Sequence, residues 1–572
     1  MISRIPGLLA TFAILTAACT EPTQIASEET ADRVLLNGAV YTLNPEQPWT
    51  EAVAIRDGHI IAVGSTADVQ NLVGEQTEIT DLDGQMLLPG FHDSHTHILI
   101  GVSADEECSL LRLESIEEVL SKLLECSDLA GFGPERWIIG GGWGDWLWPG
   151  AEPDKHVLDK IFPDRPVYLE SSFGHSAWVN SRALELARID NSTTSGEDGV
   201  IVRNQATGEA TGALHDSAML LVKNLLPEIE MDYRLERVRE AIAMAHSLGV
   251  TAVIEPGLDE ELITPLLILS DAGEFDLRAT TSLSPINWQP GTFDDAVFEF
   301  LDSREPWRRP NIDVDSVKIY MDGVIESFTG ALLQPYEDQS YGLGPRFYPQ
   351  QKVDEYFTRF DAMGLQIHVH AIGDAGIRMA LDGFQAMRQA NGVSGNRHHI
   401  THLQLIDEAD IPRFAEFDIG ATFQSLWAYP DPAAIELDIP AIGEDRTYEM
   451  YPIGSMHRAG GRIVGASDYF VTDMNPLLAI EVAITRQNPH SNSGPVLNAE
   501  ERVDLATMLA AYTKNGAYTM GLEDKQGTVE VGKRADFVIL DKNLFEITSA
   551  EISETSVAMT IFDGRTVYSR VE

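Results

Sequence analysis

The chain has 572 residues, 44% hydrophobic and 23% charged, a composition of folded globular protein and a length beyond one small core. Its 40 basic and 89 acidic residues give a formal net charge of -49. A surface of that sign repels nucleic acid and anionic lipid headgroups, which argues against both as partners and for solubility with a small-molecule substrate.

The first nineteen residues, MISRIPGLLATFAILTAAC, place Arg4 before a short apolar stretch and small residues before Cys19. The apolar run is well short of the ~20 residues a spanning helix needs, so 1–19 reads as an export signal. The ending LTAAC resembles a bacterial lipobox, which implies a lipid on Cys19 and an anchor in the cell envelope facing the periplasm. Thr16 stands where that motif usually has an aliphatic residue, so ordinary cleavage stays open. Contact with a membrane is expected only through this anchor. Residues 20–32, TEPTQIASEETAD, read as a flexible tether. Cys108 and Cys126 are then the remaining cysteines, and an oxidising compartment allows them to pair; two separate buried thiols are the alternative.

Short alternating strands follow in RVLLNGAVYTL, AVAIRDGHIIAVGS and TEITDLDGQMLLPG, with Asn37-Gly38 and Asp57-Gly58 as hairpin turns between them. The same texture returns in GTVEVGKRADFVILD and SVAMTIFDGRTVYS, so residues 33–86 and 525–572 are expected to form one small β-sandwich from both chain ends.

Residues 87–524 alternate strands with helical stretches. The strands are MLLPGFHDSHTH, GVTAVIEPG, FDLRATTSLS, VDSVKIYMDG, GLQIHVHAIGD, HHITHLQ, IGATFQS and RIVGASDYF; RLERVREAIAMAHSLG and VDEYFTRFDAMG carry helical periodicity. Eight such units predict a (β/α)8 TIM barrel with its active site at the C-terminal strand ends. The excess between the first two strands, about residues 103–233, is too long for a loop and predicts an inserted subdomain over the barrel mouth.

Unusual polar residues collect at those strand ends. His95 and His97, one residue apart, share a face by the period-two rule; Lys318 lies in strand four, His370 ends strand five, His402 strand six and Asp468 strand eight. His368 has the parity of His370, and His398 that of His402. Neutral imidazoles and carboxylates suit zinc and related divalent ions, which lower the pKa of a bound water to ~7. An ammonium would repel the ion, so Lys318 joins the set only as a carbamate. Trp137, Trp143, Trp146 and Trp148 crowd one stretch of the insert, where Trp143 is a candidate pocket residue; packing of the insert on the barrel is the alternative. Asp322 with Gly323 ends strand four and is expected to shape the substrate site, whereas Asp374 is read as organising the turn after strand five.

Taken in order, LLPGFHDSHTH, VKIYMDG, HVHAIGDAG, ITHLQ and GASDYFV resemble the amidohydrolase superfamily, and within it amidohydrolase family 3, the group that includes N-substituted formamide deformylase. WIIGGGWGDWLWP, RPVYLESSFGHSAWVNSRAL and GEATGALHDSA resemble that family's insert, and QGTVEVGKRADFVIL its C-terminal β segment. The resemblance implies one or two divalent ions, zinc first, held by His95, His97, His370, His402 and Asp468, with carboxylated Lys318 as a bridge if there are two. It implies Asp468 as proton shuttle for a metal-activated hydroxide that hydrolyses a non-peptide C-N bond in an amide, formamide or N-acyl compound. It places His175 near the substrate. The same site could hydrolyse an ester, lactone or cyclic amide, and a chain without chemistry would be a lipid-anchored solute-binding protein. Association as a homodimer is open.

Overall fold

The computed structural model describes residues 24–25 and 30–570 except 100–107, 111–112, 114, 128–135, 150–151, 173, 196–198, 228–229, 285–292, 433 and 492. The expected export signal lies outside the described residues.

Eight parallel strands form one sheet in chain order. They are β1 Phe91–Asp93, β2 Val250–Leu258, β3 Arg278–Leu283, β4 Ile312–Tyr320, β5 Gln366–Ala371, β6 His399–His402, β7 Gly420–Phe423 and β8 Arg462–Gly465. Backbone bonds from Ser94 N–H to Gly465 O (3.1 Å) and from Asp468 N–H to His95 O (2.8 Å) join the first and last strands, giving the expected (β/α)8 barrel. Strand alternation sorts the side chains. On β4 and β5, Val317, Ile319, Ile367 and Val369 join the apolar layer under the helices, while Ser316, Lys318, His368 and His370 fall on the other face.

Helices 231–247, 260–272, 350–362 and 374–391 cover the outer face. Asp259 caps the second, accepting the Leu262 N–H at 2.9 Å. The turn entering β2 needs Gly249, whose φ is +78° and where a Cβ would sit 2.4 Å from the Val538 side chain.

The sandwich draws on both chain ends. One sheet pairs 24–25, 59–64, 52–56, 33–36 and 78–81; the other pairs 565–569, 557–562, 537–540, 86–89, 39–41 and 49–50. Leu35, Val53, Ile60, Leu87, Phe537 and Ile561 fill the space between them. Two local expectations change. Asp57-Gly58, at φ +50° and +72°, closes the hairpin between antiparallel strands 52–56 and 59–64 as expected. Asn37-Gly38 instead carries the chain from one sheet to the other, because Arg33–Leu36 and Ala39–Tyr41 pair with different neighbours. The segment MLLPGFHD, read as one strand, is also two: Met86–Pro89 belongs to the sandwich and Phe91–Asp93 to the barrel.

Within the long insert, a five-stranded sheet runs 138–143, 167–171, 176–179, 210–216, 199–203. Cys108 and Cys126 form a disulfide on it, with Cα atoms 5.6 Å apart. Among the described residues no helix is long and apolar enough to cross a membrane.

Candidate metal centre and active-site cavity

β1 stops at Asp93, so His95 and His97 lie on the turn beyond it rather than on a strand face. Asp93 holds that turn. Its carboxyl accepts the N–H groups of His95 (3.3 Å) and Ser467 (3.0 Å) and the Ser467 hydroxyl (2.5 Å), fastening the segments that carry His95 and Asp468 to each other. His95 Nε2 and His97 Nε2 then lie 3.1 and 3.2 Å from Asp468 Oδ1, and His402 Nδ1 lies 3.7 Å from Asp468 Oδ2.

His402 reaches this point through its backbone. Parity would send it outward with His398 and Ile400, but its φ of +80° ends β6 in the left-handed region and turns the ring into the mouth. Asp468 has φ +56°. Such non-glycine conformations cost ~1–3 kcal/mol each and persist where the surroundings over-determine them. His398 stays outside, its Nε2–H toward Asp361 Oδ1 (3.1 Å) and its Nδ1 accepting the Ile367 N–H (3.0 Å).

One nitrogen of His370 and one of His95 are fixed by a neighbour. His370 Nε2–H donates to Gly323 O at 3.1 Å, which leaves Nδ1 with its lone pair in the neutral ring; His95 Nδ1 meets His368 Nε2 at 2.7 Å. His368 in turn contacts the Ser282 hydroxyl at 2.9 Å. His368 therefore orients His95 from below. The His402 ring stacks on Trp427 at 5.7 Å between centroids.

Burial, with Lys318 close by, pushes His95 down to about 3, and burial also holds His370 and His402 well below the usual histidine range. They are neutral ligands-in-waiting. Burial alone would raise Asp468, but His95, His97 and His402 hold it well below the carboxylate range, ionised. Lys318, 2% exposed, is lowered by burial to about 7, with Nζ 5.0 Å from the Tyr320 ring centre.

All six expected ligands line one inner pocket of about 30 Å³. His95, His402 and Asp468 offer donor atoms within 4.8 Å of one another. His95 Nε2, His402 Nδ1 and Asp468 Oδ1 are buried without a hydrogen-bond donor or acceptor of their own, which is the state in which a cation is the missing partner. These donors fit a divalent ion. The pocket shares His175, His370, His402 and Asp468 with an outer cavity of about 1330 Å³.

His175 reaches both spaces. Burial would lower it, but its 2.7 Å bond to Asp216 together with the charges of Asp216, Asp468 and Glu326 raises it. Trp143 does not line the cavity: fully buried, it packs on Trp178 and donates Nε1–H to Leu169 O at 2.9 Å, while Trp146 lines the cavity instead. Asp322 is also not a substrate contact. Wholly buried, it accepts the N–H groups of Ala331 (2.9 Å), Ile372 (3.0 Å) and Gly373 (2.9 Å), holding the loops after β4 and β5 together. Asp374 accepts the Leu333 N–H at 2.8 Å, in keeping with a turn organiser. Sequence reasoning passed over Asp93 and also Glu255, which takes the N–H groups of Ile98 (2.8 Å) and Leu99 (3.0 Å); the available signal was an acid at the end of an apolar strand.

A profile of the amidohydrolase family matches residues 78–568. The chain belongs to that family. It is 30% identical to Protein LONG AFTER FAR-RED 3 of Arabidopsis thaliana over 94% of this chain and 92% of that one. It is 25% identical to N-substituted formamide deformylase of Arthrobacter pascens over 94% and 98%. A solved structure of an uncharacterized metal-dependent hydrolase from Pyrococcus furiosus superposes with a TM-score of 0.66 at 24% identity, covering 89% of this chain and 99% of that one.

Proposed function

We propose that the protein hydrolyses a non-peptide C-N bond of an amide, formamide or N-acyl compound at a centre held by His95, His97, His370, His402 and Asp468. The observation that carries this reading is that donor atoms of His95, His402 and Asp468, buried and without ordinary partners, converge at the floor of a large cavity. A divalent ion, zinc first by the donor set, would supply carbonyl polarisation and acidify water. Lys318 is proposed as a carbamate bridging two such ions, a role supported by its burial and its pKa near 7, since the neutral amine is the form that combines with carbon dioxide.

Asp468 is the proton carrier. Its carboxylate accepts a proton from the attacking water and returns it to the leaving nitrogen as the C-N bond breaks. His175 faces the same space from the insert and donates toward the substrate. The similarity to N-substituted formamide deformylase favours an amide over an ester or lactone. We further propose export to an oxidising compartment with a lipid anchor on Cys19, supported by the Cys108–Cys126 disulfide. Envelope fractionation of wild type and Cys19→Ala tests that: release of the variant is expected, and equal partitioning would refute it.

Metal content of protein lacking residues 1–19, by mass spectrometry, followed by a panel of formamides, N-acyl amino acids and lactones, tests the activity. Two ions per chain and turnover of formamides or N-acyl compounds are expected. One ion would demote Lys318, lactone turnover alone would move the reaction class, and bound metal without any turnover would make the chain a binding protein.

A further inference from the structure

Away from the metal donors, the outer cavity contains a second cluster that the hydrolytic chemistry does not use. Glu326 follows β4, Gln404 follows β6, and Asp438 closes the helical turn 434–438 after β7, so three different strand-end loops deliver them to one wall. Gln404 Nε2 donates to Glu326 Oε1 at 3.1 Å and to Asp438 Oδ2 at 3.3 Å. Both amide hydrogens are thereby spent holding two carboxyl groups side by side. The second oxygen, Asp438 Oδ1, is buried and meets no hydrogen-bond donor, although the residue is 2% exposed.

His175 offsets this charge in part, lowering Glu326. Among the described residues that line the cavity there is no lysine or arginine, and the nearby His175 is already paired with Asp216. A third carboxyl on the cavity wall, Asp431, adds its repulsion on Asp438 to that of Glu326. Burial, together with Glu326, pushes Asp438 well up from the carboxylate range, and burial also raises Glu326; the two carboxyl groups hydrogen-bond each other, so the pair holds a proton between them and one negative charge. Buried carboxyl groups are retained where a partner compensates them. The surroundings describe that partner. Trp146, Trp427, Tyr429 and Tyr451 line the same cavity, and aromatic rings attract a desolvated organic cation. An ammonium brings several N–H donors and one charge.

We propose that Glu326, Asp438 and Gln404 form a subsite for a primary ammonium carried by the substrate, away from the bond that is cut. The proposal rests on the hydrolase reading and names its substrate class: an N-acyl or N-formyl derivative of an amine with a second, protonated amino group.

The test compares mono-N-formyl-α,ω-diaminoalkanes of increasing length with N-formylalkylamines of the same length on the metal-loaded protein. At the length that spans the cavity, the charged member is expected to have about 10–100-fold higher kcat/KM, the worth of a buried charge-assisted bond. Asp438→Asn and, as a second variant should the first fail to fold, Glu326→Gln are expected to collapse that ratio toward one. Calorimetric binding of the free α,ω-diamines and of matching diols gives a readout independent of turnover. Hydrolysis without preference for the charged series overturns the subsite and leaves the hydrolase reading standing. Diamine binding that Asp438→Asn abolishes, without turnover of any formamide, N-acyl compound or lactone of the panel, keeps the subsite and removes the hydrolase reading. Diamines that bind no tighter than diols, or that magnesium or calcium displaces, overturn the subsite.

Discussion

Histidines at the barrel mouth and histidines in its wall are alike in burial and differ in how their nitrogens are used. In the wall, His92 places Nδ1 against Gly90 O (3.1 Å) and Nε2 against Gln526 (2.8 Å), and His398 uses both nitrogens on Asp361 and Ile367. At the mouth, His95 keeps Nε2 and His402 keeps Nδ1 without a hydrogen-bond partner, both aimed at Asp468. Burial does not separate a ligand from a structural imidazole here. Donor and acceptor accounting separates His95 and His402 from His92 and His398, because a satisfied ring has no lone pair left to give; His399, whose Nε2 is also without a partner, shows that position at the mouth is needed as well.

Removing charge at the mouth is the severest way to probe this difference. Asp468→Asn keeps the shape of the site and is expected to lower kcat on a formamide by about 10²–10⁴-fold, the usual worth of a positioned proton carrier. Metal analysis of the same sample completes the measurement: loss of kcat with metal retained supports the shuttle, whereas full activity would reject it. Melting temperature should barely move.

Acid probes the wall. Burial lowers His92 from 6.5 to about 4, so between those values the unfolded chain takes up a proton that the folded chain refuses. Stability from this group is present above pH 6.5 and is lost as pH falls toward 4, to an extent of up to ~3 kcal/mol. Asp93, Asp322 and Glu255, raised by burial to about 7, 7 and 8, act in the opposite sense as pH rises, so each pH needs its own comparison of wild type with variant. His92→Gln should flatten the acid limb of denaturation midpoints; an unchanged slope would assign that limb elsewhere.

His368 stands between the two classes, touching a mouth imidazole while belonging to the wall. Losing it frees the His95 ring, and His368→Ala is expected to weaken metal binding by about 10–100-fold in a chelator competition. An unaltered affinity would make His368 a packing residue only.

Much of this was legible in the chain. The eight strands and the six mouth residues show because polar side chains interrupt apolar strands at their C-terminal ends, a pattern that local sequence contains. Period-two reasoning fails where the backbone leaves the strand: at His402, whose positive φ separates it from His398, and at His95 and His97, which follow a strand that has ended. Asn37-Gly38 has hairpin chemistry, but pairing partners far along the chain decide where its strands go. Trp143 and Asp322 were assigned by type and place, yet one fills the insert's core and the other ties backbone N–H groups. Only the tertiary contacts distinguish those uses. The acidic subsite escaped for the same reason: Glu326, Gln404 and Asp438 come from three loops that share no sequence motif.

The mildest test returns to the wall at His398. Its partner Asp361 is also held by Asn391 at 2.8 Å and Asn396 at 2.8 Å, so the carboxylate remains hydrogen-bonded when the imidazole is lost. Burial alone would raise Asp361, and hydrogen bonds from His398, Ser394 and Asn391 hold it well below the carboxylate range instead. His398→Gln retains an N–H able to reach the same oxygen and gives up the acceptor for Ile367. The cost should be about 1–2 kcal/mol of unfolding free energy, the worth of one neutral buried bond left imperfect. Metal content and kcat should stay as in the wild type, since the ring faces helix 350–362 and not the mouth. Loss of metal in this variant would break the division between wall and mouth, because His398 would then act on the centre through β6, the strand that delivers His402.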